Sequence, residues 1–403
     1  MNTIHTWDRL QALGEFSDEP GKLTRVFGGK GMKDASARLA EWMRAARLIV
    51  TTDNWGNIFG RTFHPETMPL LVIGSHFDTV PNGGKYDGAL GILVGLAAIE
   101  KLSPSEIKNL PFAIEIAGFS DEEGTRFQTT YLGSRAAAGG IQKSDLERKD
   151  ATGRTLASLV PASAHDPEPR YRKGQLVAYW EAHIEQGPVL ESLKLPLAVV
   201  TGIAGQTRAR LAFTGASAHA GTCPMNLRKD ALAGASEFVL AVEKISKEIP
   251  GLLGTVGALE VAEPASNVVP GRTTLTLDLR HLNNDTRCNA LASLKKTAED
   301  AATSRNLKLD WEIVQENSAV ASDPKQMAVL RRAVSQSQQK VPELCSGAGH
   351  DAVVMAKVAP MAMLFVHCRG GVSHHPDEYC SPEDVAACAT ALAEAIRELA
   401  RSF

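Results

Sequence analysis

Four consecutive aliphatic residues, Leu70-Leu71-Val72-Ile73, run without a break into Gly74-Ser75-His76-Phe77-Asp78-Thr79-Val80, and Lys85-Tyr86-Asp87-Gly88 follow a glycine-rich turn. A short apolar run with glycine at its end reads as a buried strand. Side chains that can ligate a metal stand just past that strand's C-terminal end: His76 and Asp78 first, then Asp87. In open α/β sheets the carboxyl ends of the strands are where ligands collect. The stretch therefore predicts an α/β sheet with its chemistry at one edge, and it needs further ligands and a base from elsewhere in the chain.

The same logic recurs downstream. Ala89 to Leu102 is small and aliphatic on every side, as in a buried helix. Phe112 to Phe119 reads as a strand and leads into Ser120-Asp121-Glu122-Glu123-Gly124. Val177 to Ile184 is another strand, followed by Glu185-Gln186-Gly187. Upstream, Lys33 to Arg47 has helical periodicity, and Leu48 to Thr51 with Asn57 to Arg61 reads as a hairpin across Asn54-Trp55-Gly56. The cluster Gly28-Gly29-Lys30-Gly31 lacks the context of a dinucleotide fingerprint and is expected to be a loop. Gln142 to Arg172, with Pro161, Pro167 and Pro169, is expected to hold short helices and loops.

From about Gly205 the texture changes. Thr207 to Phe213 alternates polar and apolar residues, as a half-exposed strand does. A helix from Leu227 to Ile249, strands Leu252 to Val261 and Thr273 to Arg280, a helix from Asp285 to Arg305 and a strand Lys308 to Val314 follow. That β-α-β-β-α-β order resembles a ferredoxin-like unit. Asn317 to Asp323 reads as a return linker. Helix Pro324 to Gln339, strand Met361 to His367 and helix Pro382 to Arg401 complete the first layer.

A chain of 403 residues exceeds the roughly 250–300 that one core supports. The expected fold is a mixed, largely parallel sheet flanked by helices, which forms a metal-binding catalytic domain at residues 1–204 and 317–403. An inserted ferredoxin-like α+β domain at 205–316 would serve as lid and dimerisation element.

Charge and composition exclude several classes. The net charge of −3 carries no basic footprint for nucleic acid. The longest apolar run, Gly88 to Ile99, is too short to span a bilayer, and Met1 to Asp8 lacks the pattern of a secretory leader. A cytoplasmic location is the expectation. Cys223, Cys288, Cys345, Cys368, Cys380 and Cys388 form no CxxC pair and read as free thiols.

The acids and histidines carry the chemistry. Successive side chains at a strand end point in opposite directions, so one of Glu122 and Glu123 can bind a metal while the other faces a water. His76, His183 and His374 follow strands or sit in a Gly/Ser-rich turn, and imidazole with carboxylate suits zinc, manganese, cobalt or nickel. Singly, each histidine is more often a satisfied core or loop histidine than a ligand, and Asp121-Glu122-Glu123-Gly124 alone favours a solvated acidic turn. Together, three histidines and two acids at strand ends point to a dinuclear site.

These motifs carry a resemblance. His76-Phe77-Asp78-Thr79-Val80, Tyr86-Asp87-Gly88 and Asp121-Glu122-Glu123-Gly124 are similar to the aminoacylase and carboxypeptidase-type dinuclear metallohydrolases. His183-Ile184-Glu185-Gln186-Gly187-Pro188-Val189-Leu190-Glu191 and His219-Ala220-Gly221-Thr222-Cys223-Pro224-Met225 resemble the branch that cleaves ureido groups. That branch holds allantoate amidohydrolases, N-carbamoyl-L-amino-acid hydrolases and β-ureidopropionases, and it usually has threonine or valine in place of Cys223. The resemblance covers nearly the whole chain, in order.

The resemblance implies two divalent ions, manganese first, with zinc, cobalt or nickel as alternatives. Asp87 would bridge them, His76 and His183 would each bind one of them, and Glu123 and His374 would complete the set. The Gly370 to Pro376 turn has a second histidine, His375, so the choice of His374 rests on the Ser-His step. Glu122 would be the general base, and Asp78 would hold the His76 ring. Arg280, Asn267, Gln206 and His350 would contact the substrate, Arg280 through its carboxylate. His219 would stabilise the oxyanion from a partner subunit, implying a homodimer. The expected substrate is a small ureido carboxylate, allantoate first and an N-carbamoyl-L-amino acid second. An N-acyl deacylase or peptidase, and an inactive binding protein of the same fold, are the wider alternatives.

Overall fold

A computed structural model describes residues 4–403; the first three residues of the Met1 to Asp8 stretch, read above as lacking a leader pattern, lie outside the described residues. The chain divides into two compact units, one made of Met1–Gly202 and Ser322–Phe403, the other of Ile203–Ala321.

The first unit is built on a mixed sheet. Its strands run in the order Ile49–Thr52, Ile58–Arg61, Ala113–Phe119, Leu70–His76, Leu176–Ile184, Met361–Val366, Leu197–Ile203. The central four are parallel to one another, and the outer pairs are antiparallel. Every residue of Leu70–His76, Ala113–Phe119 and Met361–Val366 is buried. Burial on both faces is why Leu70–Ile73 and Met361–Val366 read as continuous apolar runs, while Glu115 in the middle of Ala113–Phe119 is buried in an ion pair with Arg170 at 2.6 Å; each fully buried Leu or Ile contributes roughly 1.5–3 kcal/mol. Helix Ala89–Glu100 is buried at every position except its last, which explains its lack of a polar face. It packs on Leu70–His76 and Leu176–Ile184.

Several expected elements shift at their ends, each for a local reason. The first long helix runs Lys30–Ala45, so two residues of the glycine cluster expected to be loop are helical. The Asp18 carboxylate accepts the N–H groups of Val26 and Gly31 at 3.0 and 2.7 Å, and so caps that N-terminus with a negative charge. The helix expected from Leu227 runs Ala231–Glu248, because Asp230 caps it by accepting the Ala233 N–H at 3.0 Å. The strand expected over Leu252 to Val261 is two pieces, Leu253–Thr255 and Leu259–Val261. At the break, Thr276 Oγ1 accepts the Ala258 N–H at 3.1 Å. Strand Leu197–Ile203 and helix Ile4–Leu13 were not anticipated.

The second unit is an antiparallel sheet in the order Leu259–Val261, Arg272–His281, Gly205–Thr214, Lys308–Asn317, with Leu253–Thr255 also on Arg272–His281. Helices Ala231–Glu248 and Asn284–Ser304 pack on the sheet through a core of Leu211, Phe213, Phe238, Leu277 and Leu294. Arg208 and Arg210 are exposed between buried neighbours on Gly205–Thr214, the alternation of a sheet covered on one face. Among the described residues, no helix is long and apolar enough to cross a membrane.

Candidate metal centre

The four central strands are parallel, so their carboxyl ends lie along one edge. His76 is the last residue of Leu70–His76, and His183 is the penultimate residue of Leu176–Ile184. Asp87 stands one residue before the N-cap Gly88 of Ala89–Glu100. Glu122 and Glu123 follow Ala113–Phe119, and His374 lies in the turn beyond Met361–Val366. Residues far apart in sequence meet there because the sheet brings its strand ends together.

Asp87 is the hub. Its Oδ1 lies 3.1 Å from His183 Nε2 and 3.5 Å from His76 Nε2. Its Oδ2 lies 3.2 Å from His374 Nε2, and that nitrogen is also 3.4 Å from Glu123 Oε1. The other ring nitrogens of the two buried histidines face outward. His183 Nδ1 is 3.0 Å from the Ile184 carbonyl, and His76 Nδ1 is 3.3 Å from both the carbonyl and Oδ1 of Asp78. A proton on Nδ1 satisfies those acceptors and turns the Nε2 lone pairs toward Asp87. Lone pairs facing a carboxylate oxygen repel unless a cation lies between them. The donor set therefore fits metal ions, in two triads that share Asp87: His76 with His183, and Glu123 with His374. His76, Glu122 and Glu123 form a third grouping within ligand range of one another.

The electrostatics agree with a cation site. Burial pushes the Glu122 carboxyl well above the usual range, against the pull of His76, with Glu123, Asp351 and Asp78 adding repulsion. Burial and then Asp87 push Glu123 up to about 7. Burial alone would raise Asp87, but positive charge on the imidazoles that face it, His183 first and then His374 and His76, would bring it well below the ordinary carboxylate value. Asp121 is fully buried, and among the described residues neither of its carboxylate oxygens has a hydrogen-bond partner; burial pushes it well up.

One expectation needs correcting. Glu122 and Glu123 do not splay to opposite sides of a strand, because the strand ends at Phe119. They sit in a turn whose N–H groups both point at Asp78, Glu122 to Oδ1 at 3.0 Å and Glu123 to Oδ2 at 3.2 Å. Both carboxylates consequently approach His76. The two histidines of the last turn differ in their surroundings. His374 faces Asp87, while His375 is exposed and accepts the Asp377 N–H at 3.2 Å.

Three residues beside Asp87 escaped the sequence reading. Gln186 Nε2 donates to Asp87 Oδ2 at 3.2 Å and to Ser373 Oγ at 3.0 Å. Ser373 Oγ is 3.1 Å from Asp87 Oδ2. Glu378, buried, holds the backbone of Tyr86 and Asp87. The only sequence signal was the nearness of Gln186 to His183 and of Ser373 and Glu378 to His374. His350 is buried with its ring centroid 4.4 Å from that of His183, edge-on, and its Nε2 is 2.7 Å from Ser346 Oγ.

The remaining expected residues belong to the second unit. Arg280 and Gln206 are directly opposite in register on neighbouring strands. Asp278 collects both: Arg280 Nε and Nη2 donate to it at 2.7 and 2.9 Å, and Gln206 Nε2 at 2.7 Å. Two of the Arg280 donors expected for a substrate carboxylate are thus engaged by a strand neighbour. His219 and Asn267 are brought side by side by a two-stranded ribbon, in which Val268 pairs with His219 and the Ala220 N–H donates to the Asn267 carbonyl at 2.8 Å. His219 is exposed, and its Nδ1 accepts the Gly221 N–H at 3.1 Å. The ring proton is therefore on Nε2, which makes that nitrogen a donor.

Comparison with known proteins gives a consistent picture. Residues 72–398 match the family described as peptidase family M20/M25/M40. An allantoate deiminase of Arabidopsis thaliana is 37% identical over 422 residues, covering 96% of this chain and 80% of that protein. An N-carbamoyl-L-amino acid amidohydrolase of Geobacillus stearothermophilus is 37% identical over 402 residues, covering 98% of each. The crystal structure of a hydantoinase/carbamoylase-family amidase from Burkholderia multivorans superposes with a TM-score of 0.89 at 33% identity, covering 98% of this chain and 97% of that one.

Proposed function

The chain belongs to peptidase family M20/M25/M40, and from that premise we propose a dinuclear amidohydrolase that cleaves the ureido C–N bond of allantoate. It is a hydrolase acting on C–N bonds, with relatives named for allantoate and for N-carbamoyl-L-amino acids. The observation that carries the proposal is the convergence of three imidazole Nε2 atoms on the two oxygens of Asp87. An N-carbamoyl-L-amino acid is the second reading, because the Geobacillus relative matches this chain as fully as the plant one.

When bound, two divalent ions would lower the pKa of a water and polarise the ureido carbonyl; manganese is the first choice, with zinc, cobalt or nickel as alternatives. His76, His183 and Asp87 would hold one ion, and Glu123, His374 and Asp87 the other. Glu122 lies outside the two triads that share Asp87, within reach of His76 and Glu123. It would take the proton of the attacking water and deliver it to the leaving nitrogen. Asp78 would keep the His76 ring oriented and the Glu122–Glu123 turn in place. With one water consumed, the carbamoyl part of the ureido group would leave as ammonia and carbon dioxide, and the other nitrogen would stay on the product as its amine.

We assign the second unit, a ferredoxin-like insertion by its strand order, the roles of lid and dimerisation. Arg280, Asn267 and Gln206 would hold the substrate carboxylate, and His350 would contact the substrate from the first unit. His219 would donate its Nε2–H to the oxyanion across a homodimer interface. The six free cysteines fit a reducing, cytoplasmic setting.

The test is ammonia release from allantoate, N-carbamoyl-L-amino acids, N-carbamoyl-β-alanine and N-acetyl amino acids, after chelation and then with manganese or zinc restored. Allantoate should give the highest kcat/KM, and only with metal present. Preferred hydrolysis of N-acetyl amino acids would move the chain to a deacylase. Inertness of the metal-loaded protein on every substrate would favour a binding role.

A further inference from the structure

Glu378 has no place among the metal ligands, yet its side chain ties two of them together. Its Oε1 accepts the N–H of Tyr86 at 2.8 Å and of Asp87 at 2.9 Å. Its Oε2 lies 3.3 Å from Ser373 Oγ, the hydroxyl that also lies 3.1 Å from Asp87 Oδ2. The Gln186 amide closes the ring by donating to both Ser373 and Asp87. One carboxylate thereby joins the turn that carries Asp87 to the turn that carries His374, segments separated by 291 residues at Asp87.

Asp87 precedes Gly88, whose φ of 66° and ψ of −56° close a tight turn in which the Ala89 N–H donates to the Asp87 carbonyl at 2.7 Å, and His374 is a non-glycine residue at φ 56° in an exposed turn. Positive φ at a non-glycine residue persists only where neighbours hold it. The space around Glu378 is also built to measure: a Cβ on Gly84 would collide with its carboxylate.

We infer that Glu378 is a positioning residue that sets Asp87 against His374 and so governs the affinity of the ion that Asp87, Glu123 and His374 would share. This rests on the proposed reading of Asp87 as a bridging ligand. Glu378 acts through hydrogen bonds to backbone and hydroxyl, so glutamine, which keeps an acceptor at Oε1 and can donate to Ser373, should largely replace it. Alanine should not.

The experiment titrates Mn2+ into the metal-free full-length protein by calorimetry, alongside thermal melting of the same metal-free samples. Wild type should take up two ions. Glu378→Ala should weaken one of the two about 10- to 100-fold, the usual cost of losing a group that orients a ligand, and Glu378→Gln should stay near wild type. Gly84→Ala, which displaces the Glu378 carboxylate, should reproduce the alanine result. Ser373→Ala leaves the backbone clamp intact and should still weaken that one ion. The inference is overturned if Glu378→Ala and Gly84→Ala bind both ions as wild type does. It is equally overturned if metal-free Glu378→Ala melts far below wild type while Ser373→Ala binds both ions normally, since Glu378 would then be a packing element alone. A wild-type protein that takes up no Mn2+ would instead sink the metal-centre reading on which the inference stands.

Discussion

Asp78 accepts the backbone N–H of Glu122 at 3.0 Å. The same carboxylate accepts the N–H of Glu123 and faces His76 Nδ1. A residue expected only to orient one imidazole therefore also anchors the turn that carries two acids, and it couples the ends of two adjacent parallel strands. Asp78→Ala should release both at once. The expected loss is about 10- to 100-fold in Mn2+ affinity or turnover, measured by calorimetry and ammonia release. Asp78→Asn keeps one acceptor and should lose less.

Glu122 and Glu123 should separate cleanly by substitution. Glu122→Gln should cut turnover about 10²- to 10⁴-fold, the range for a lost general base, and leave two Mn2+ per chain. Glu123→Gln should lose an ion. Metal content by atomic spectroscopy beside kcat decides the matter. Because Glu122 also stands within ligand range of His76, loss of an ion from Glu122→Gln would reassign it as a ligand.

Arg280 should act on KM. A charge-assisted hydrogen bond contributes about 1.5–3 kcal/mol, so Arg280→Ala should raise KM for carboxylate substrates about 10- to 150-fold. Arg280→Lys should recover little, because a single ammonium cannot reproduce the fork that grips Asp278. An unchanged KM would remove Arg280 from the substrate clamp.

His219 should act on kcat instead. With the ring proton on Nε2, it offers one donor of the kind whose removal costs about 10²- to 10³-fold in turnover. His219→Ala should show that loss with Mn2+ binding unaltered. If the residue works across a homodimer interface, mixing inactive His219→Ala with inactive Glu122→Gln subunits should restore part of the activity, and no recovery would place His219 within its own subunit.

How much of this was legible in the sequence depended on what each feature rests on. Leu70–His76 and Ala113–Phe119 stood out because two-sided burial leaves them mostly apolar, four aliphatic residues opening the first and only Glu115 interrupting the second. His76, Asp87, His183 and His374 stood out because ligand-type residues followed such runs. Leu197–Ile203 was overlooked although Leu197-Ala198-Val199-Val200 is equally apolar and fully buried. The start of helix Ala231–Glu248 was misplaced because apolar Leu227 continued the pattern, whereas the cap at Asp230 decides the first turn. Glu378, Ser373 and Gln186 were invisible for a deeper reason. Their roles are fixed by hydrogen bonds across the fold, and no local period encodes those.

Gly88 offers a test of the hub that needs no substrate. It has φ 66° and ψ −56°, and a Cβ there would stand 2.5 Å from three atoms of the His76 ring. Gly88→Ala therefore meets two costs. Backbone strain at such a conformation is on the order of 1–3 kcal/mol, and His76 must also move out of line with Asp87 Oδ1. The metal-free protein should melt lower, by about 2–4 °C for each kcal/mol in a unit of this size, and Mn2+ should lose the site formed by His76, His183 and Asp87. Adding His76→Ala separates the two costs. With the imidazole gone the new methyl has room, so the double variant should melt above Gly88→Ala alone when metal-free, while its Mn2+ site stays lost. Additive melting shifts would mean that the glycine serves the turn only and that its contact with His76 carries no energy.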